Sequence, residues 1–431
     1  YTVNGGAAVD IVTGGDLNDV LNGAGGADTL NGGAGNDTIT GGAGADVQNG
    51  GDGDDSFVVA AQAELAAGES FTGGLGFDEL FLNGLGAFDI SGMTVAADVE
   101  GLRSLGAVTA TVAQLNALTS INAVTVVVQN TGSVTLNGDT VQSGTFNLNA
   151  GGNTITFAGA FAGNYVVNGG AAVDVITGGD RAPGGDTLNG FGGNDTLNGG
   201  MGDDILNGGA GVDTMNGGTG NDTFLITNAA DVGALELYNG GDGVDTIQID
   251  SATAVNLAAA TINSSTERLI SNADVTLTAV QAGALRYLDA GTKSVTFSTT
   301  GTVSFTGDTV LSSVFNLNAG GNSITFAGLR TTGYIVNGGI GADTITGGER
   351  DDQLVGGAGN DALTGGGGND LLVGGAGRDT FSGGAGNDVL RVDSASDIVA
   401  TESYAAGTGW DTLRYAGTQN ANFSGVTIST D

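Results

Sequence analysis

Twenty-one aspartates fall at one place in a repeated block of nine residues, G-G-x-G-x-D-x-U-x, in which U is apolar. They are Asp10, Asp19, Asp28, Asp37, Asp46, Asp55 and Asp78, then Asp174, Asp186, Asp195, Asp204, Asp213, Asp222 and Asp245, then Asp343, Asp352, Asp361, Asp370, Asp379, Asp388 and Asp411. The eighth place is apolar in every block but that of Gln48. Carboxylates set among glycine turns offer oxygen ligands alone, from side chains and main-chain carbonyls together. That donor set suits a hard cation of high coordination number, calcium rather than zinc or copper. A single such match reads as an Asx-stabilised turn. A long run in phase, with apolar residues in register, reads as a series of metal sites.

The carboxylates can converge only if the blocks stack. Glycine supplies left-handed backbone and lets neighbouring chains approach closely. The x-U-x triplet alternates as a very short strand does, with U inward and its Thr and Asn neighbours outward. One block is then half a coil, and two blocks complete one turn of a flattened parallel solenoid. Coils stacked about 4.8 Å apart place the aspartates of blocks i and i+2 on the same edge, facing one gap. The expected fold is all-β: a parallel β-roll or β-solenoid with metal-binding glycine-rich turns, alternating with metal-free β-solenoid connectors.

The repeats form a larger tile. "YTVNGGAAVDIVTGGD" at Tyr1 returns as "YVVNGGAAVDVITGGD" at Tyr165 and as "YIVNGGIGADTITGGE" at Tyr334. Arrays are read over 1–58, 165–225 and 334–391. An interruption with one isolated further turn follows each, over 59–81, 226–248 and 392–414. Connectors fill 82–164 and 249–333, and a third begins at 415–431. The tiling is expected to continue beyond both ends, with "GGN(T/S)ITFAG"-like sequence before Tyr1. Within the connectors, short strands are predicted at 124–128, 133–138, 146–150, 153–159 and 165–170, and two-turn helices capped by Thr at 111–118 and 278–285. The interruptions repeat an acid at their sixth place (Glu64, Asp231, Asp397) and Glu at their eleventh (Glu69, Glu236, Glu402). Such acids either complete coordination at the open end of an array or belong to a solvated loop or short helix. The sixth place fits the loop and the eleventh fits coordination.

Composition narrows the function. Lys and Arg number 10 against 47 Asp and Glu, a formal charge of −37. A chain this acidic offers no basic patch for nucleic acid or an anionic membrane, and its folded form repels itself unless cations bind. No cysteine or histidine is present, which removes disulfides, thiolate or imidazole zinc sites and histidine-based catalysis. No run of apolar residues is long enough for a membrane-spanning helix.

The nine-residue blocks resemble those of the RTX (repeats-in-toxin) family, and the resemblance covers the three arrays and the isolated turns, close to half of the chain. It implies a calcium-filled parallel β-roll, export from a Gram-negative bacterium by a type I system, and folding on meeting external calcium. It leaves the activity open, because toxins, proteases, lipases, epimerases, adhesins and surface-layer proteins carry such arrays. The small residues, the tiling and the absence of cysteine are most similar to a surface-layer or adhesin protein. The expected role is therefore a calcium-stabilised structural segment, not itself an enzyme, that self-associates into a lattice or fibre at the cell surface, with cell-surface polysaccharide as a further partner. The alternatives are the repeat region of a secreted hydrolase or polysaccharide epimerase with its catalytic domain elsewhere, or a module that binds polysaccharide or ice through outward Thr and Asn rows.

Overall fold

The structure is a computed structural model and describes residues 1–137, 140–142, 144–149, 151–159, 164–180, 184–306, 310–317, 320–328 and 332–429. The three residues that lengthen the second turn of the second array, 181–183, lie outside these, as do the last residues of two predicted connector strands, 138 and 150. The chain divides into two compact units, residues 1–223 with 241–243, and residues 224–240 with 244–431. Among the described residues no helix is long and apolar enough to cross a membrane.

Each unit is a parallel β-solenoid. In the first, seven strands stack in parallel: Thr2–Asn4, Val20–Asn22, Thr38–Thr40, Ser56–Val59, Glu79–Leu82, Gly101–Ser104 and Ser120–Asn122. The alternate strands Ile11–Thr13, Thr29–Ala34, Val47–Asp52, Ser70–Leu75 and Thr94–Val95 form a second parallel stack. Register follows the expected period of two blocks, with Leu21 paired to Ile39 and Leu30 to Gln48. Along the first stack Leu21, Ile39, Phe57, Leu80, Leu102 and Ile121 lie one above another, all buried. The second unit repeats this design, with Val336, Leu354, Leu372 and Leu390 forming one interior ladder.

The outward neighbours of these ladders are also ordered. Asn at the ninth place forms side-chain amide ladders, as where Asn49 donates to Asn31 at 2.8 Å. One such ladder passes from connector into array, Asn168 donating to Asn147 at 2.7 Å and Asn189 to Asn168 at 2.8 Å.

The connectors are solenoid as well. Thr125–Val128, Thr145–Asn147 and Val166–Asn168 stack in parallel, then continue into the array strand Thr187–Asn189. Their coils are longer, and larger side chains fill them. Phe157 stacks on Tyr165 with centroids 4.0 Å apart, and Phe326 on Tyr334 at 3.8 Å. The two predicted helices are present, Val112–Ala117 and Ala279–Ala284, each closed by a reciprocal Thr–Gln capping box.

One expectation needs correction. The seventh turn is not isolated in the first or third array. Ser70–Leu75 pairs with Val47–Asp52 and Ser403–Thr408 with Thr380–Ala385, so the stack continues without a gap. The interruption simply lengthens one coil, its extra residues looping outward as the short 3-10 turns Gln62–Glu64 and Ala395–Asp397.

The block of Leu30 buries that one apolar side chain, so its loss cannot be shared with neighbours on the same strand. Leu30→Ala is expected to lower stability in saturating calcium by about 2–5 kcal/mol, the range for emptying a closed core position. Urea unfolding followed by circular dichroism measures it, and a loss no larger than that of an outward Thr29→Ala control would contradict the interior ladder.

Candidate metal centres

The aspartates form continuous columns along the solenoid edges. Within a column, Oδ1 of one aspartate accepts the backbone N–H of the aspartate one coil earlier; Asp186, first in its column, accepts instead from Tyr165 N at 2.8 Å. Asp10 N donates to Asp28, Asp28 N to Asp46, both at 2.8 Å. On the other edge Asp19 N donates to Asp37 and Asp37 N to Asp55 at 2.7 Å, then Asp55 N to Asp78 at 2.8 Å. The second array shows the same links from Asp174 to Asp195 to Asp213 and from Asp186 to Asp204 to Asp222. The third links Asp343, Asp361 and Asp379 on one edge and Asp352, Asp370, Asp388 and Asp411 on the other. Asp245 is buried in the second unit. Asp10 and Asp411 are half-buried, and the other column aspartates are buried.

The second carboxylate oxygen is the one that asks for a cation. Oδ2 of Asp28, Asp37, Asp46, Asp55, Asp78, Asp195, Asp204, Asp343, Asp361, Asp370 and Asp388 is buried and accepts no hydrogen bond among the described residues. A buried ionised oxygen without a partner is costly, and native proteins supply a proton, a donor or a metal.

The first glycine of each block shows where the partner belongs. A methyl group built on Gly5 would lie 2.6 Å from the Gly23 carbonyl oxygen and 2.8 Å from Asp10 Oδ2. On Gly169 it would lie 2.7 Å from the Gly190 carbonyl oxygen and 2.8 Å from Asp174 Oδ2. Similar cradles recur along the arrays, such as Gly32 against Asp37 and the Gly50 carbonyl, and Gly365 against Asp370 and the Gly383 carbonyl. Glycine therefore lets the carboxylate oxygen and the carbonyl of the next coil approach where any side chain would collide with both. No three acidic side chains converge on one point among the described residues. Each cradle draws on its carboxylate and on main-chain carbonyls, as the block pattern implies. The donors fit a hard divalent cation, and the column aspartates with the first-glycine carbonyls would hold it.

Burial raises the pKa of several of these carboxyls. Desolvation, added to by the neighbouring aspartates of the column, pushes Asp55 and Asp361 up to about 6 and Asp195, Asp204, Asp370 and Asp379 to about 7. Desolvation likewise pushes Glu69 to about 7, against the lowering effect of its hydrogen bond from Gln48.

Glu69, Glu236 and Glu402 are buried, and each follows a left-handed residue: Gly68, Leu235 and Thr401. That backbone turn drives the glutamate inward. Glu69 enters the column directly, its Oε2 3.3 Å from Asp46 N and its Oε1 accepting from Gln48 Nε2 at 2.8 Å. Gln48, polar at an interior place, is thereby explained. In the other tiles the interior donor is a tyrosine two residues on, Tyr238 to Glu236 at 3.3 Å and Tyr404 to Glu402 at 2.7 Å. The sixth-place acids behave as loop residues. Glu64 accepts from Ala60 N at 2.7 Å, Asp397 from Ser394 N at 3.0 Å, and Asp231 from the Thr227 hydroxyl at 3.4 Å.

Sequence reasoning missed two acids. Glu100 Oε2 accepts from Asp78 N at 2.9 Å, and Glu267 Oε2 from Asp245 N at 3.0 Å. Each stands 22 residues after its aspartate, so the tile repeat carried the signal. It also missed Asn153 and Asn322, which occupy column places ahead of Asp174 and Asp343.

Two outcomes follow. Asp37→Asn keeps an oxygen for Asp19 N but removes the charge facing the cradle. The calcium midpoint for β-structure, read by circular dichroism, is expected to rise at least about tenfold, or 1.4 kcal/mol; an unchanged midpoint contradicts the cradle. The raised carboxyl values also set a sign. Folding favours the protonated form, so this stabilisation is complete below the unfolded value near 4 and is lost as pH rises through 6 to 7. In chelator, the β-structure is expected to be stronger at about pH 5 than at about pH 8. In limiting calcium the order reverses, because the ligands must lose their protons to bind metal.

Comparison with known proteins agrees with this geometry. The family of the RTX calcium-binding nonapeptide repeat (4 copies) matches residues 2–21, 22–57, 183–206, 189–224, 337–372 and 364–399. No curated protein matches the chain. The matched segments cover the three glycine-rich arrays, the last running on to residue 399 in the interruption, and such repeats bind multiple calcium ions. The three arrays carry RTX calcium-binding nonapeptide repeats, set in a parallel β-solenoid.

Proposed function

We propose that these residues are a structural segment of a secreted bacterial cell-surface protein, in a surface layer, adhesive stalk or filament, held in shape by calcium. The observation that carries this reading is that repeated sequence becomes repeated solenoid throughout each unit. Connector strands stack onto array strands in the same parallel register, as Val166–Asn168 does between Thr145–Asn147 and Thr187–Asn189. A chain that spends its connectors on further coils is built to extend and to present like faces at intervals.

The RTX repeats support export, with the type I route as the proposed path and folding outside the cell as its consequence. Calcium is abundant there, and extracellular modules bind it with dissociation constants of about 10⁻⁴–10⁻³ M. An unfolded chain of this charge density stays expanded where calcium is scarce. Catalysis is assigned to no residue of this segment. The proposed partner is a second copy of the chain, with cell-surface polysaccharide as a further contact along the outward Thr and Asn rows.

Negative-stain microscopy of the purified protein tests the assembly. Ordered lattices or fibres are expected in millimolar calcium, and their dispersal in EGTA. Monomers under both conditions would favour the repeat region of an enzyme or a monomeric binding module instead.

A further inference from the structure

We propose that the acidic column of the first tile, and its counterpart in the second, closes with one more calcium site in which a glutamate of the connector is a ligand. In the first tile its ligands are the carboxylates of Asp78 and Glu100 and the main-chain carbonyl of Asp98. In the second they are Asp245, Glu267 and the carbonyl of Ser265. The inference rests on the calcium-binding reading and extends it past the nine-residue repeats, into the connectors.

Three observations lead here. Asp78 is fully buried, and its Oδ2 accepts no hydrogen bond among the described residues. That oxygen is aimed into a cradle: a methyl on Gly73 would collide with Asp78 Oδ2 and the Asp98 carbonyl oxygen together. Within the arrays the matching wall of the cradle is the carbonyl of the next first glycine, so Asp98 continues the pattern where glycine has ended.

The glutamate continues the column in the same way. Glu100 Oε2 takes the N–H of Asp78 at 2.9 Å, as Oδ1 of an array aspartate such as Asp37 takes the N–H before it. Its other oxygen is the one assigned to the cation, as Oδ2 is in the arrays. Glu267 does the same for Asp245 at 3.0 Å. It reaches that place through an irregularity in strand pairing, where Asp245 faces Thr266 but Thr246 faces Arg268. Glu267 is the extra residue, and such bulges re-aim a side chain. A methyl on Gly240 would likewise meet Asp245 Oδ2 and the Ser265 carbonyl oxygen.

The two tiles also differ in an informative way. Asp98, whose Oδ1 accepts from Gly73 N at 3.1 Å, is replaced by Ser265 in the second tile, while the glutamate is kept. A main-chain carbonyl tolerates that exchange and a carboxylate ligand does not. The longer glutamate reaches the column across a coil of 22 residues, against 18 in an array coil.

Glutamine tests this directly, because its carbonyl oxygen still accepts the aspartate N–H while its charge is gone. The double variant Glu100→Gln/Glu267→Gln in the 431-residue chain is compared with the parent by equilibrium dialysis against millimolar calcium and metal analysis. Two fewer calcium ions per chain are expected, with array β-structure retained in saturating calcium. An equal count in parent and variant overturns the proposal and leaves the array sites standing; a parent that takes up no calcium overturns both. Anomalous diffraction from calcium in crystals of the unaltered chain serves if the variant does not fold. An ion within about 2.3–2.6 Å of Asp78 and Glu100 carboxylate oxygens is expected. An ion ligated without the glutamate, or none at that place, refutes it.

Discussion

The structure depends on a carboxylate whose two oxygens have different partners. One oxygen accepts the backbone N–H of the coil before it and thereby sets the register of stacking. The other, buried in arrays with almost no basic residues, faces a cradle of carbonyl oxygen that a first-place glycine keeps open. With metal in that cradle, the repulsion along a column becomes attraction between coils. Without it, burial favours the protonated form at several of these aspartates, Asp55, Asp204 and Asp370 among them. Glycine content, acidity and the near absence of lysine are therefore consequences of one requirement.

The connectors meet that requirement differently. At the base of two columns Asn153 and Asn322 stand where aspartate would, each accepting a backbone N–H, from Gly132 at 3.2 Å and Gly301 at 3.1 Å. The Nδ2 of Asn153 donates to the Gly151 carbonyl at 2.9 Å, and that of Asn322 to the Gly320 carbonyl at 2.8 Å. An amide thus provides from within the side chain the positive partner that the aspartate takes from calcium. The same coil can then be built with or without metal by exchanging a single atom. Where the metal is absent, stacked aromatic rings such as Phe157 on Tyr165 add the cohesion. The buried glutamates show a similar economy, since Gln48 serves Glu69 from one strand while Tyr238 and Tyr404 serve Glu236 and Glu402 from their own.

Much of this was legible without coordinates. A nine-residue period with one inward residue allows few folds, and the pairing of Leu21 with Ile39 follows from it directly. The column aspartates were legible because their spacing repeats the period. Thr111 and Thr278 were legible as helix caps because a capping box is local. Glu100 and Glu267 were not, since no block surrounds them and their distance from the column is measured through space. The continuity of the seventh turn was hidden for a related reason. An interruption in sequence looks like a break in structure, and only stacking shows that its extra residues loop outward while the strand after them keeps register.

The sequence by itself determined the half-coil, the inward and outward faces of each strand, the ligand chemistry and the two-block period, because all of these are set by residues within a few positions of one another. The tertiary structure decided which oxygen binds the backbone and which faces the cradle, how Glu69 enters a column while Glu64 stays on its loop, and where a column passes from aspartate to asparagine or glutamate. Those outcomes depend on the coil lying above or below, whose distance along the chain varies with every interruption and connector. Local pattern specifies each coil, but only contact between coils specifies its partner.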